Sequence, residues 1–84
     1  MINKDIAATN LRDIAVATLN EVEVGEVFIV KDLFRGFEWA RLPQSTRVKL
    51  GSLFLVYAES AEGMLVLEKL DKTKQMQQRY RKLN

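Results

Sequence analysis

The sequence predicts a single α+β domain with the element order helix, strand, helix, helix, strand, strand, and three observations predict it. The first is the segment Trp39–Tyr57, WARLPQSTRVKLGSLFLVY. It turns at Pro43 and enters a helix that is polar at its front and apolar at its back. The second is the tract 64–83, which reads as a pair of strand-like runs rich in Lys, Arg and Gln. The third is an earlier stretch in which Leu11, Ile14, Ala15, Thr18, Leu19 and Val22 recur at helical spacing. A helix anchored at its rear, beside a cationic two-stranded ribbon, is the arrangement of a winged helix-turn-helix. A chain of 84 residues has room for one such domain, 1–84.

The elements follow in order. The first helix is expected within Lys4–Glu21, with Asn3 or the pair Asn10 and Asp13 as caps, and with Gly25 ending it. Val27–Val30 is a β-branched and aromatic run, hence a strand. Lys31–Phe34 reads as one or two helical turns stopped by Gly36. Phe37, Trp39 and Leu42 then fill a packed connection. Phe34, Phe37 and Trp39 are expected to anchor it onto the core; the alternative is that, exposed, they stack bases of single strands. The long helix spans 43–60, with Pro43 in its first turn. Thr46, Leu50, Leu53, Phe54 and Tyr57 share its inward face; Gln44, Ser45, Lys49 and Ser52 point outward. Val48, Leu55 and Val56 also lean outward, against the pattern of a simple surface helix. Gly51 lies mid-helix, where glycine costs up to about 1 kcal/mol unless a close backbone approach requires it.

Gly63 is expected to break this helix, Met64–Leu67 to form a strand, and Asp71–Thr73 to turn the chain. In 75–83, Met76, Gln78 and Tyr80 alternate with Gln75, Gln77, Arg79 and Arg81. That favours a returning strand, which also covers the edge of 64–67. A C-terminal helix is the competing reading, because Gln, Met, Lys and Arg are good helix formers.

Composition excludes much chemistry. There is no cysteine and no histidine. Thiolate nucleophiles, disulfides, imidazole acid–base catalysis and most zinc sites therefore fall away. The serines have no imidazole to activate them, and glycine is too sparse for a phosphate-cradling loop. No enzymatic activity, metal, cofactor or small-molecule substrate is expected. No apolar run is long enough to span a membrane. The start MINKDIAATN lacks a signal-peptide pattern, so a cytoplasmic protein is expected.

Charge is unevenly placed. Residues 1–43 carry a net −2 and residues 44–84 a net +4. Such asymmetry suits an anionic partner on the C-terminal half, although scattered solvated surface gives the same count. Double-stranded DNA is the expected partner. At the front of the long helix, Gln44, Ser45, Val48, Lys49 and Ser52 have the chemistry to meet base edges or phosphates. Arg47 flanks the apolar face; it reaches either a phosphate or an internal acid such as Glu38. On the ribbon, Lys69, Lys72, Thr73 and Lys74 are placed near the turn, with Gln77, Arg79 and Arg81 on the returning strand. Phosphate contacts of this kind supply affinity and register. The alternative is that edge lysines only prevent aggregation.

The run GEVFIVKDLF, then Trp39 with Arg41-Leu42-Pro43, then Arg47, Leu50, Gly51 and Phe54, resembles a small bacterial family known only as domain of unknown function 1413. The resemblance covers roughly 25–57. It implies a compact winged helix, frequent in Gram-positive bacteria and their mobile elements, and no settled activity. For a DNA-binding domain the expected use is transcriptional regulation or an accessory role at a DNA site of a mobile element, for instance in conjugation. A protein-interaction module or a small inhibitor protein using an acidic face at Glu21, Glu23 and Glu26 is the alternative use of such a scaffold. A homodimer is also expected, through Val16 and Ala17 of the first helix or Leu55 and Val56 of the long one.

Overall fold

In the computed structural model, which describes residues 2–84, the chain forms α1 (Ala8–Thr18), β1 (Val27–Ile29), α2 (Gly36–Ala40), α3 (Gln44–Glu59), α4 (Ala61–Val66), β2 (Leu67–Lys72) and β3 (Gln78–Lys82). Short 3-10 turns follow α1 at Leu19–Glu21 and β1 at Val30–Leu33. The strands make an antiparallel sheet in the order β1-β3-β2, so the last strand is the central one. The result is an α+β domain of four helices and one three-stranded sheet.

The helices cover the inner face of the sheet. Ala15 and Leu19 from the first helix, Phe54 and Ala58 from α3, and Phe28, Leu67 and Tyr80 from the strands form one buried cluster with Leu33. Tyr80 is its centre. Its ring meets Phe54 edge-on at 5.2 Å and Phe28 at 5.9 Å, and it has no exposed surface. A second cluster, Ile2, Leu11, Leu42 and Leu50, joins the N-terminal segment to α1, α3 and the α2–α3 connection. Burial of this kind, at about 25 cal/mol per Å² of apolar surface, is the main force available to so small a domain.

α1 starts later than expected and without a side-chain cap. Ala7 stands at its N-terminus, and Asn3 instead accepts from Asp5 N at 2.9 Å in the turn before it. Asn10 and Asp13 lie inside the helix, with Asp13 paired to Arg12 at 3.1 Å. Gly25 acts after the helix, where its φ of 93° turns the chain into β1 and its N–H donates to Lys82 O at 2.8 Å.

Three expected elements are corrected. The helical turns at Lys31–Phe34 are a 3-10 turn at Val30–Leu33, closed by Asp32 Oδ2 accepting from Ile29 N at 3.0 Å. Gly36 then opens α2 rather than stopping a helix, and Phe37 is exposed on it while Leu42 is buried. Met64–Leu67 is not a strand: α4 runs through Val66, leaving Met64 and Leu65 exposed, and β2 begins at Leu67. A four-residue apolar run has no period to tell strand from helix, and Ser60 decides it. Its extended backbone ends α3, and its Oγ accepts from Gly63 N at 3.1 Å to start α4. Asp71 and Lys72 belong to β2, and the chain reverses between Thr73 and Gln77. The strand reading of 75–83 holds for Gln78–Lys82. Met76 does not share the inward face, being 71% exposed; Lys82 does, at 7%.

Gly63 is required for a close approach. A Cβ there would lie 1.9 Å from Tyr57 O and 2.8 Å from Ala58 Cα. Gly63→Ala should therefore cost about 3 kcal/mol by overpacking, read as a lower urea midpoint; an unchanged midpoint would show that the α3–α4 corner opens freely. Tyr80 gives a second test. Burial, then the Glu59 carboxylate, pushes its hydroxyl from 10.0 up to about 12. The folded state thus holds its proton longer than the unfolded one, so stability is intact below pH 10 and falls as pH rises toward 12. Its hydroxyl has no hydrogen-bond partner among the described residues, so Tyr80→Phe should leave neutral-pH stability equal or higher and lessen the alkaline loss. An unchanged alkaline unfolding profile would place the titration elsewhere.

Candidate nucleic-acid interface

α3 presents three faces. Leu50, Phe54 and Ala58 are buried, with Thr46, Leu53 and Tyr57 half-buried beside them. Ser45, Lys49, Ser52 and Val56 are exposed. Between these, Gln44, Arg47, Val48, Gly51, Ser52 and Leu55 form one wall of a groove of about 620 Å³. The opposite wall is the β2–β3 hairpin, through Lys72, Gln75, Met76, Gln77 and Gln78, and Lys31 and Trp39 also line it. The structure therefore brings Gln44, Arg47, Val48, Ser52, Lys72 and Gln77 from the expected site into one concavity. Gly51 has nothing within 4 Å of where a Cβ would stand, so its lack of a side chain keeps the groove open rather than admitting another backbone.

Lys72 reaches this groove because of an irregularity in the sheet. Leu67 pairs with Lys82 and Lys69 with Tyr80, but Lys72 pairs with Gln78. β2 thus holds one residue more than β3 over the same span, which is a bulge. Strict alternation from Leu67 would send residue 72 to the outer face; the extra residue returns it to the side of Tyr80 and α3. Gln78 supports the irregular stretch, its Nε2 donating to Leu70 O and to Arg79 O.

The other cations are placed differently. Arg81 pairs across the sheet with Glu68 and Arg79 with Ile29, on the outer face away from α3. Arg81 Nη1 meets Glu68 Oε1 at 2.9 Å, and Arg79 Nε donates to Asp71 O at 2.9 Å. Lys69 lies mid-strand rather than at the turn and meets Glu59 Oε2 at 2.9 Å. Thr73 Oγ1 accepts from Gln77 N at 3.2 Å and so shapes the loop. Lys74 is exposed on that loop. Among the described residues, Lys31, Lys49, Lys72 and Lys74 make no ion pair.

Among the described residues Arg47 does not pair with Glu38. Its Nη2 donates to Trp39 O at 3.0 Å, and its guanidinium lies 5.4 Å from the Trp39 ring centroid. That stack ties the front of α3 to α2 and holds Trp39 half-buried. Lys82, at the end of β3, is withdrawn from the surface. Its Nζ donates to Leu19 O at 2.7 Å and Val22 O at 3.1 Å in the turn that follows the first helix, where Leu19 O also accepts from Val22 N. Lys31, Gln75, Gln78 and Trp39 were not expected at the groove. Their place there follows from strand order, which sets the 3-10 turn after β1 beside the hairpin and leaves no local signal.

A second concavity, of about 410 Å³, lies beneath α1 and is lined by Glu21, Glu26, Asp32 and Glu38 with Arg35 among apolar groups. The carboxylates that line it are absent from the lining of the α3–hairpin groove.

Fold and site together define a small α+β domain whose longest helix and cationic hairpin share one groove. The chain belongs to the family described as domain of unknown function DUF1413, whose model matches residues 13–82. No curated protein and no solved structure matches it.

Lys82 offers a test of how the hairpin is held. Lys82→Met should cost about 2 kcal/mol, because the carbonyls of Leu19 and Val22 lose a charged donor, seen as a lower thermal midpoint. No change would mean that water replaces the ammonium at the end of α1.

Proposed function

We propose that this domain is a winged helix that binds double-stranded DNA without catalysing a reaction. The observation that carries the reading is the shared groove: the front of α3 and the tip of the hairpin face each other across it, with Lys31 and Lys72 unpaired at its walls. Its chain order and the sheet order β1-β3-β2 fit a wing returning beside a recognition helix. α3 enters the major groove, where Gln44 suits adenine, Lys49 guanine or phosphate, Ser45 and Ser52 either, and Val48 a thymine methyl. Lys72 and Lys74 take the backbone. Lys69 and Arg81 add to this only by exchanging carboxylates for phosphates, a small cost since exposed ion pairs are worth about 0–1 kcal/mol.

One domain of this size reads few base pairs. Useful specificity then calls for two copies on paired half-sites, and exposed Ala17 and Val56 are the apolar groups left for a homodimer; Val16 and Leu55 are already half-buried. The biological use is transcriptional regulation or an accessory role at a DNA site of a mobile element. A second reading is a protein-interaction module, favoured by Val48 at 60% and Val56 at 67% exposure on the helix assigned to DNA.

A mobility-shift titration with random duplex at two salt concentrations separates these readings. Affinity should fall steeply with salt. Lys72→Glu combined with Lys74→Glu should weaken binding to all duplexes alike and reduce the salt slope by about 2. Folded protein that binds no duplex at low salt would exclude the DNA reading and leave the interaction module.

A further inference from the structure

The hairpin tip carries an apolar side chain where loop chemistry calls for glycine. Thr73 N donates to Gln77 O at 2.8 Å, and Met76 N donates to Thr73 O at 2.9 Å. Gln77 N also donates to Thr73 Oγ1 at 3.2 Å. These bonds close a short loop, 74–76, of the kind whose last residue takes a left-handed backbone. That residue is Met76, with φ 66°, the one non-glycine residue at positive φ among the described residues. A Cβ is disfavoured in this conformation, and glycine or asparagine is usual there. Burial does not compensate, because the side chain is 71% exposed. A strained, exposed, apolar residue on a firmly closed loop is a feature whose stability cost points to a contact made outside the chain.

Its surroundings indicate the contact. Lys72 and Lys74 precede it without ion-pair partners, and Gln75 and Gln77 flank it, both exposed. Lysines suit two rows of phosphates. Glutamine amides suit the acceptors that line a minor groove. An unbranched thioether is slim and polarisable, and suits insertion between base pairs.

We infer that Met76 is a wedge that enters the minor groove of duplex DNA and partly unstacks one base step. This rests on the DNA-binding reading above and adds to it a deformation: the hairpin bends the duplex instead of only lying along its backbone. Bending brings more phosphates to Lys72 and Lys74, which offsets the unstacking. It also makes flexible pyrimidine–purine steps the preferred position for the tip.

The test uses the full chain and a duplex carrying a donor and an acceptor fluorophore at its ends. Wild-type protein should shorten the end-to-end distance by a bend of about 20–90°. Met76→Gly removes the wedge and suits the backbone of the loop. It should keep or raise the thermal midpoint, abolish the bend, lower affinity about tenfold and reduce the salt slope, because the phosphates that the bend brings to Lys72 and Lys74 are lost. Met76→Leu should retain the bend. A merely structural Met76 would not combine equal or greater stability with weaker binding. Wild-type protein that binds duplex without bending it, or Met76→Gly that binds and bends equally, overturns the wedge and leaves the DNA reading standing. Folded protein that binds no duplex overturns both. Met76-dependent binding to phosphatidylglycerol vesicles in place of duplex overturns the wedge and assigns the tip to a lipid surface.

Discussion

The fold depends on the insertion of β3 between β1 and β2. Its ladder satisfies both neighbours, and its inner face sets Gln78, Tyr80 and Lys82 in a row with three separate duties. Tyr80 fills the centre of the core against Phe28 and Phe54. Lys82 closes the carbonyl end of the first helix. Gln78 holds the irregular part of β2. A strand close to the C-terminus therefore fixes elements from the whole chain, which is a non-local solution with a high loop-closure cost.

Functional geometry follows from that strand. Antiparallel pairing of β2 and β3 places the hairpin beside α3, and the bulge between Lys69 and Lys72 turns Lys72 inward. The same pairing sends Arg79 and Arg81 to the outer face, where backbone and carboxylate contacts occupy them. Clustering in sequence thus overstated the size of the cationic surface. On the groove and its rim, the lysines that make no ion pair among the described residues are a narrower set: Lys31, Lys49, Lys72 and Lys74.

Two long cationic side chains hold the scaffold together. Arg47 stacks on Trp39 and bonds its carbonyl, and Lys82 is buried. In both cases the side chain delivers its charge to backbone carbonyls. By contrast, Met76, which alternation would send inward, stands exposed on the loop. Polar residues withdrawn and an apolar one displayed are departures that hydrophobic pattern alone does not reveal.

The sequence by itself determined the elements with strong local signals. α1 and α3 follow from helical periodicity over many residues, β1 from the run Val27–Ile29, and the returning strand from Tyr80 amid alternating polar groups. The groove residues of α3, Gln44, Val48 and Ser52, were legible because helical spacing fixes a face. Short segments were not. Met64–Val66 became helical because Ser60 caps a new helix and Gly63 fits under Tyr57. Gly36 opened α2 because the Asp32 carboxylate had already closed the preceding turn. Strand order, the bulge that re-aims Lys72 and the burial of Lys82 were decided only by tertiary structure. Each depends on a partner distant in sequence, such as Lys82 on Leu19, and local periodicity carries no information about such pairings.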